Sequence, residues 1–135
     1  EHGPRGGDEI NKVEAGKNYG WPVITYGKEY WGPSIGDTHK KGMEQPIYYY
    51  VPSIATSGLI KYRGKKFKSW KGNFFSGALK AQHLNRAYFD QRQKKYLDEK
   101  IKITTELEQR IRSVLHSPDK EIAFTTDDGN LYFLK

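Results

Sequence analysis

Arg110 and Arg112 lie two residues apart in the segment Gln109-Arg110-Ile111-Arg112. On a β-strand, residues at this spacing project from the same face, and two planar guanidinium groups are suited to bidentate binding of carboxylates. The pair is therefore suited to holding a carboxylate-bearing ligand. The alternative is a pair of solvated strand residues in a basic protein.

Lys80 follows a run of small residues, Ser76-Gly77-Ala78, and Leu79. Such a strand keeps little side-chain bulk between its backbone and a flat ligand. Without further context, Lys80 is one of many lysines in the chain.

Two other residues could do chemistry, and each has a second interpretation. Tyr30 could pack on a flat ligand and hydrogen-bond to it, or cover neighbouring strands together with Trp31. Glu9 could ligate a hard cation or cap backbone amides before Ile10. The four histidines show no metal-ligand spacing. The absence of cysteine excludes disulfides and thiolate metal sites.

The net charge of +7 comes from 23 Lys and Arg against 16 Asp and Glu. The basic residues concentrate in KYRGKKFKSWKG and RQKKYLDEKIKI, where they alternate with aromatic residues. This pattern indicates solvated faces and turns of β-hairpins, and we expect no nucleic-acid partner. No apolar run is long enough for a membrane span. The turn-rich start without Met suggests a fragment or a processed chain.

Short runs of β-branched and aromatic residues recur between Gly, Pro, Asn and Asp, which is typical of an all-β protein. Strands are predicted at 10–14, 19–26, 46–51, 57–62, 73–79, 83–89, 111–115, 121–125 and 130–134. Residues 94–103 and 105–114 could form either helix or strand. We favour strand for both, because Ile111, Ser113 and Leu115 share a face at period two.

Two segments have the layout of hairpins: SPDKEIAFTTDDGNLYFLK near the end and WKGNFFSGALKAQHLNRAYFD before it. Repeats built only of short strands indicate a β-propeller rather than a sandwich, and about three blades fit in this length. A full ring does not.

Several motifs then occur in a particular order: Gly3-Pro4, Asp8-Glu9-Ile10-Asn11, Asn18-Tyr19-Gly20-Trp21-Pro22, Gly77-Ala78-Leu79-Lys80 and Arg110-Ile111-Arg112. Together they resemble the soluble aldose sugar dehydrogenases and glucose/sorbosone dehydrogenases that use pyrroloquinoline quinone. The resemblance extends over nearly the whole chain. It implies that residues 1–135 are the C-terminal part, about three blades, of a six-bladed all-β propeller whose N-terminal blades are absent.

The resemblance also assigns site residues. It implies that the quinone is contacted by Tyr30, Ala78, Leu79, Lys80, Arg110, Ile111 and Arg112. It implies that calcium is held by Gly3, Pro4, Glu9 and Tyr19, where Gly3, Pro4 and Tyr19 would offer backbone carbonyls.

The activity implied by the resemblance is oxidation of the C1 hydroxyl of an aldose to a lactone by hydride transfer to the quinone. The family's catalytic histidine and its assisting arginine belong to earlier blades, so the isolated segment is expected to be inactive. Implied partners are an aldose, an artificial or respiratory electron acceptor, and complementary blades or a second copy. The implied location is periplasmic or secreted. The alternative is a non-catalytic propeller module that binds protein or glycan.

Overall fold

A computed structural model describes all 135 residues and divides them into two compact units. The N-terminal unit comprises Glu1–Ala55 and the C-terminal unit comprises Thr56–Lys135. No helix is long and apolar enough to cross a membrane.

The N-terminal unit contains one small antiparallel sheet within a framework of turns. Strand β1 (Asp8–Ile10) pairs with β2 (Tyr48–Tyr50), with Glu9 opposite Tyr49. The strand predicted at 46–51 is therefore confirmed as β2.

Two strand predictions in this unit were wrong. After Ile10 the chain turns, because the Tyr19 hydroxyl donates to the Lys12 carbonyl at 2.6 Å and accepts the Glu14 N–H at 2.8 Å. Residues 19–26 form a turn in which the N–H groups of residues 23 and 24 donate to the Gly20 carbonyl at 2.6 and 3.0 Å. Gly20 has a φ of +86°, which glycine tolerates and a continuing strand does not use.

The C-terminal unit contains two antiparallel sheets. The first sheet has the order β3-β4-β5-β6, from β3 (Thr56–Lys61), β4 (Phe74–Ala78), β5 (Leu84–Asp90) and β6 (Lys95–Lys100). The second sheet has the order β7-β8-β9, from β7 (Ile111–His116), β8 (Ile122–Thr126) and β9 (Leu131–Leu134). Both hairpins expected from the sequence are present, as β4–β5 and β8–β9, and the strands predicted from 57 onward are confirmed to within one or two residues.

The two ambiguous segments divide between strand and helix. Residues 94–103 form β6 and then enter a helical turn, α1 (Lys102–Thr105). Buried Thr104 fixes this turn, because its hydroxyl donates to the Ile101 carbonyl at 2.7 Å and accepts the Leu84 N–H at 2.9 Å. The strand predicted over 105–114 begins only at Ile111.

The predicted face of Ile111, Ser113 and Leu115 was also wrong. The pairing of β7 with β8 shifts register between Ile111 and Ser113, which is the signature of a β-bulge. As a result Ile111 and Val114 are buried, whereas Leu115 is exposed.

One hydrophobic core joins the two sheets of this unit. Its buried members are Tyr62, Phe75, Leu84, Ile101, Ile111, Val114, Ile122, Phe124 and Leu134.

Glycines allow strand β7 to approach the first sheet closely. A Cβ atom on Gly77 would lie 2.6 Å from the Ile111 carbonyl oxygen, and one on Gly58 would lie 2.7 Å from the Val114 nitrogen. In the same region the Ser57 hydroxyl donates to the Ile111 carbonyl at 2.7 Å. Any larger residue at position 77 would separate β4 from the start of β7.

Gly77→Ala is expected to lower the free energy of unfolding by about 1–3 kcal/mol, because the added methyl group overpacks a backbone contact. Chemical denaturation measures the change. Gly32→Ala is the control, since a Cβ there meets nothing within 4 Å. Equal stability of the two variants would contradict the close approach.

Candidate functional site at the ends of strands β4 and β7

Strand β4 delivers the small-residue segment to the edge of the C-terminal unit. Ala78 is fully buried at the end of β4, Leu79 is half-buried and Lys80 is exposed in the following turn. The Ala78 carbonyl accepts the Gln82 N–H at 3.1 Å, which closes the turn. Lys80 therefore has a defined backbone position and a free ammonium group.

The start of β7 lies beside this turn, because Gly77 contacts the backbone of Ile111. Ile111 is fully buried, and its neighbours Arg110 and Arg112 are exposed. The tertiary structure thus brings together two segments that are more than thirty residues apart in sequence, residues 78–80 and 110–112.

Both arginines contact Asp127, in the turn after β8. Arg112 makes a bidentate pair, with Nε 2.9 Å from Oδ1 and Nη2 2.9 Å from Oδ2. The Nε atom of Arg110 lies 3.4 Å from Oδ2 of the same carboxylate. The hydrogen bond from Arg112 is the main cause that lowers the pKa of Asp127 and raises that of Arg112. Two guanidinium groups are held side by side by one carboxylate.

The local charge is positive, because Lys80, Arg110 and Arg112 carry three positive charges against the two negative charges of Asp127 and its neighbour Asp128. Arg112 uses two of its five N–H donors on Asp127, so donors remain for a second carboxylate. This arrangement can bind an anion with more than one carboxylate.

In the N-terminal unit, Glu9 is an unusual carboxylate because it is buried. Burial is the main cause that raises its pKa; the hydrogen bond from Asn11 opposes the rise, while the charge of Glu1 adds to it. The Asn11 amide nitrogen donates to Glu9 Oε2 at 3.1 Å, and Asn11 Oδ1 is a buried acceptor with no partner. Two kinds of hard oxygen ligand are thus close together.

Asp8, fully buried, organises the loop that contains Gly3 and Pro4. Its Oδ1 accepts the Gly3 N–H at 2.8 Å and the Ser53 hydroxyl at 2.5 Å, while Oδ2 accepts the Ile54 N–H at 3.0 Å. A Cβ atom on Gly3 would lie 2.4 Å from the Gly6 carbonyl oxygen. The backbone of this loop is consequently compact and fixed.

The two tyrosines named from the sequence have different surroundings. Tyr19 is half-buried, and its hydroxyl bridges the backbone of residues 12 and 14. The ring of Tyr30 is exposed, as is that of Trp31, and the Tyr30 carbonyl accepts a hydrogen bond from Arg5 at 3.3 Å. Tyr30 is thus available to a ligand.

Two histidines are partly enclosed by the C-terminal unit. Burial is the main cause that lowers the pKa of both His83 and His116. His83 Nδ1 lies 2.9 Å from the Ala81 carbonyl, and His116 Nε2 accepts the Arg63 N–H at 3.3 Å. Neither ring contacts a carboxylate in the manner of a catalytic pair.

The family profile of the glucose/sorbosone dehydrogenases matches residues 1–134. The chain belongs to the glucose/sorbosone dehydrogenase family. The family resemblance found from the ordered motifs is therefore confirmed.

Curated relatives include the aldose sugar dehydrogenase YliI of Escherichia coli, which is 40% identical over 138 residues. An uncharacterised protein of Synechocystis is 37% identical over 137 residues. Both alignments cover 100% of this glucose/sorbosone dehydrogenase chain but only 36% and 32% of the respective relatives. The chain spans about a third of their length.

Solved structures of similar chains agree. A crystal structure of a glucose dehydrogenase superimposes with a TM-score of 0.85 at 37% identity and covers 98% of this chain and 38% of its own. The apo-form of the soluble aldose sugar dehydrogenase from Escherichia coli gives 0.84 at 38% identity, with the same coverage of both chains. The predicted fold class, an all-β part of a β-propeller, is confirmed.

Sequence reasoning missed three residues of these sites: Asp127, Asp8 and Asn11. Asp127 reads as part of an Asp-Asp-Gly turn, and only the pairing of Ile111 with Thr126 places it beside the arginines. A stronger signal was present for Asp8 and Asn11, which flank Glu9 in the Asp-Glu-Ile-Asn motif.

Replacing Glu9 by Gln is expected to change how stability depends on pH. Because its pKa is raised, the folded state holds the Glu9 proton more tightly than the unfolded state, so its ionisation destabilises the fold as pH rises above 4.5. The stability of Glu9→Gln relative to wild type should therefore increase between about pH 3.5 and 7.

Glu14→Gln is the matched control in this denaturation series. Its hydrogen bond with Lys12 lowers the pKa of Glu14, so ionised Glu14 stabilises the fold and that stabilisation is lost as pH falls. Relative to wild type, this variant should become less stable as pH rises through the same range. Parallel curves of stability against pH for the two variants would contradict the opposite directions of the Glu9 and Glu14 pKa shifts.

Proposed function

We propose that the protein is the C-terminal segment of a pyrroloquinoline quinone- and calcium-dependent sugar dehydrogenase that oxidises the C1 hydroxyl of aldoses to lactones. The observation that carries the proposal is the pair of guanidinium groups of Arg110 and Arg112, joined by Asp127 next to the strand that leads into Lys80. The reaction class is that of the relatives, an aldose sugar dehydrogenase and a glucose dehydrogenase.

The cation set fits the quinone by charge and shape. Pyrroloquinoline quinone is flat and carries three carboxylates, and residues 78–80 and 110–112 offer three cations at one edge. Ala78 and Ile111 are fully buried, so a flat ligand would contact the exposed side chains of Lys80, Arg110 and Arg112 around them. In this assignment Asp127 is a positioning residue that holds both guanidinium planes before the ligand arrives.

When bound, pyrroloquinoline quinone would supply a hydride acceptor, and calcium would supply a Lewis acid. The residues of this chain bind and orient the ligand: Arg110, Arg112 and Lys80 fix its carboxylates, and Tyr30 is assigned a ring contact by the resemblance. The proton of the C1 hydroxyl goes to a histidine that is supplied outside these 135 residues.

Calcium fits the N-terminal unit through oxygen ligands of mixed kind. No three His, Asp or Glu side chains come together as a metal cluster, so backbone carbonyls must contribute. One proposed site uses the carbonyls of Gly3 and Pro4 in the loop fixed by Asp8. The other uses Glu9 and the Tyr19 carbonyl, and the unpartnered Asn11 Oδ1 beside Glu9 favours an added cation.

Removing either arginine is expected to weaken quinone binding. Arg110→Ala and Arg112→Ala should each raise the Kd roughly tenfold, because each loses charge-assisted hydrogen bonds to a carboxylate. Isothermal titration with pyrroloquinoline quinone and calcium measures the change. Arg92→Ala, an exposed arginine in the turn between β5 and β6, should leave the Kd unchanged.

Addition of an aldose and a redox dye to the same sample should give no turnover, because this chain lacks the base. Steady dye reduction would contradict that division of roles. Equal changes in the Kd for the quinone in all three arginine variants would favour the alternative function. In that case the protein is a propeller module that binds protein or glycan and has no converging cation set.

Calcium is expected to raise the melting temperature of the wild type and of Glu14→Gln and to leave Glu9→Gln nearly unchanged. The physical reason is that the ion replaces the proton on a buried carboxylate and is bound only by the folded state. Scanning calorimetry with calcium, and with magnesium at the same ionic strength, makes the comparison. An equal rise in all three proteins would remove Glu9 from the ligand set.

The remaining assignments follow from the family. We propose a periplasmic or secreted location, an artificial or respiratory electron acceptor, and complementary blades or a second copy as the structural partner.

A further inference from the structure

The loop between β3 and β4 has a charge distribution that the proposed function does not use. Residues 61–72 contain six Lys or Arg and no Asp or Glu. Arg63, Lys65, Lys68 and Lys71 form no ion pair, and only Lys66 approaches a carboxylate, at 3.5 Å from Glu121. Free cations at this density produce a positive potential that attracts anions.

A cavity of about 330 Å³ lies beneath this loop. Tyr62, Lys65 and Lys66 line one side, and residues 118–121, in the turn between β7 and β8, line the other. Lys120 lies in that turn and forms no ion pair. Lysines from two separate segments therefore line one half-open cavity.

The two walls are fixed to each other by the backbone. A Cβ atom on Gly64 would lie 2.4 Å from the Lys120 carbonyl oxygen and 2.3 Å from the Tyr62 hydroxyl. The turn is closed by hydrogen bonds from the Lys120 N–H to the Ser117 carbonyl at 2.8 Å and from the Ser117 N–H to the Glu121 carbonyl at 3.0 Å. The cavity is therefore a preformed feature of the fold.

Tyr62 adds a directed donor. It is 1% exposed, and its hydroxyl accepts the Phe67 N–H at 3.3 Å. The hydroxyl proton is left for an acceptor in the cavity. A buried O–H with lysines around it is the donor set expected for a multivalent oxyanion.

The acidic residues of the lining do not neutralise the cavity. Glu121 lies 3.5 Å from Lys66, and an ion pair of this length on a partly exposed surface is weak. Asp119 remains against Lys65 and Lys120, and Arg63 adds a further positive charge nearby. The charges of Arg63 and Lys120 also reach His116, where they help burial to lower the pKa of the ring.

We infer that the cavity between the β3–β4 loop and the β7–β8 turn binds a phosphate group, held by Lys65, Lys66, Lys120 and the Tyr62 hydroxyl. Phosphate supplies two negative charges and several acceptor oxygens, which matches mobile ammonium donors and one fixed hydroxyl better than a single carboxylate would. The inference does not depend on the proposed enzymatic function.

The position of this cavity separates it from the candidate quinone site. The cavity lies at the C-terminal end of β7, and Arg110 and Arg112 lie at its N-terminal end. A six-residue strand spans about 20 Å, so both sites can be filled at once.

Titration of the protein with sodium tripolyphosphate tests the inference. Calorimetry measures the binding, and NMR measures the pKa of His116. We expect saturable binding and a rise in the pKa of His116, because the bound anion offsets the charges of Arg63 and Lys120. The double variant Lys65→Gln/Lys120→Gln should raise the Kd roughly tenfold or more. Lys65→Gln alone leaves the turn intact and should give part of this effect.

Lys40→Gln/Lys41→Gln is the matched control, because it removes the same charge from an exposed turn of the N-terminal unit. This variant should bind like the wild type. Equal weakening by both double variants, or no saturable binding by the wild type, would overturn the inference.

Vesicles distinguish the source of the phosphate. Binding to phosphatidylglycerol vesicles that tripolyphosphate displaces assigns the site to a lipid headgroup, and tripolyphosphate binding without vesicle binding assigns it to a free phosphate compound. Vesicle binding that is insensitive to both tripolyphosphate and the Lys65/Lys120 substitutions would contradict the site.

Discussion

The close approach of β7 to the first sheet of the C-terminal unit is the constraint on which both sites of that unit depend. Gly77 and Gly58 remove side-chain bulk where the strands meet. The Ser57 hydroxyl donates a hydrogen bond to the Ile111 carbonyl, which the contact would otherwise leave buried without a partner. One end of the contact brings the end of β4 to Ile111, the residue between the two arginines. At the other end, Gly64 makes a similar approach to Lys120 and closes the cationic cavity.

Charge is handled differently in the two units. In the C-terminal unit, exposed Asp127 organises two exposed arginines and leaves a net positive edge. In the N-terminal unit, Glu9 is buried with one amide donor and no cationic side chain within hydrogen-bonding distance. The first arrangement favours binding of an anion, and the second favours binding of a cation.

The basic segment after β3 shows how sequence patterning can be correct and incomplete. The alternation of lysines with aromatics correctly indicated a solvated connection between two strands. Phe67 and Trp70 stack with ring centroids 4.3 Å apart and pack against the core, whereas Lys68 between them is exposed. That arrangement, and the second wall supplied by residues 118–121, could not be read from spacing.

The sequence by itself determined the all-β class, the family and most strands of the C-terminal unit, because alternation and turn residues are local signals. It failed at residues 10–14 and 19–26, where a tyrosine hydroxyl and Gly20 direct the chain into turns. It also misassigned the inner face of β7, since a bulge is a property of pairing with β8. Only the tertiary structure decided that Asp127 joins Arg110 to Arg112, because that contact depends on the register between two strands.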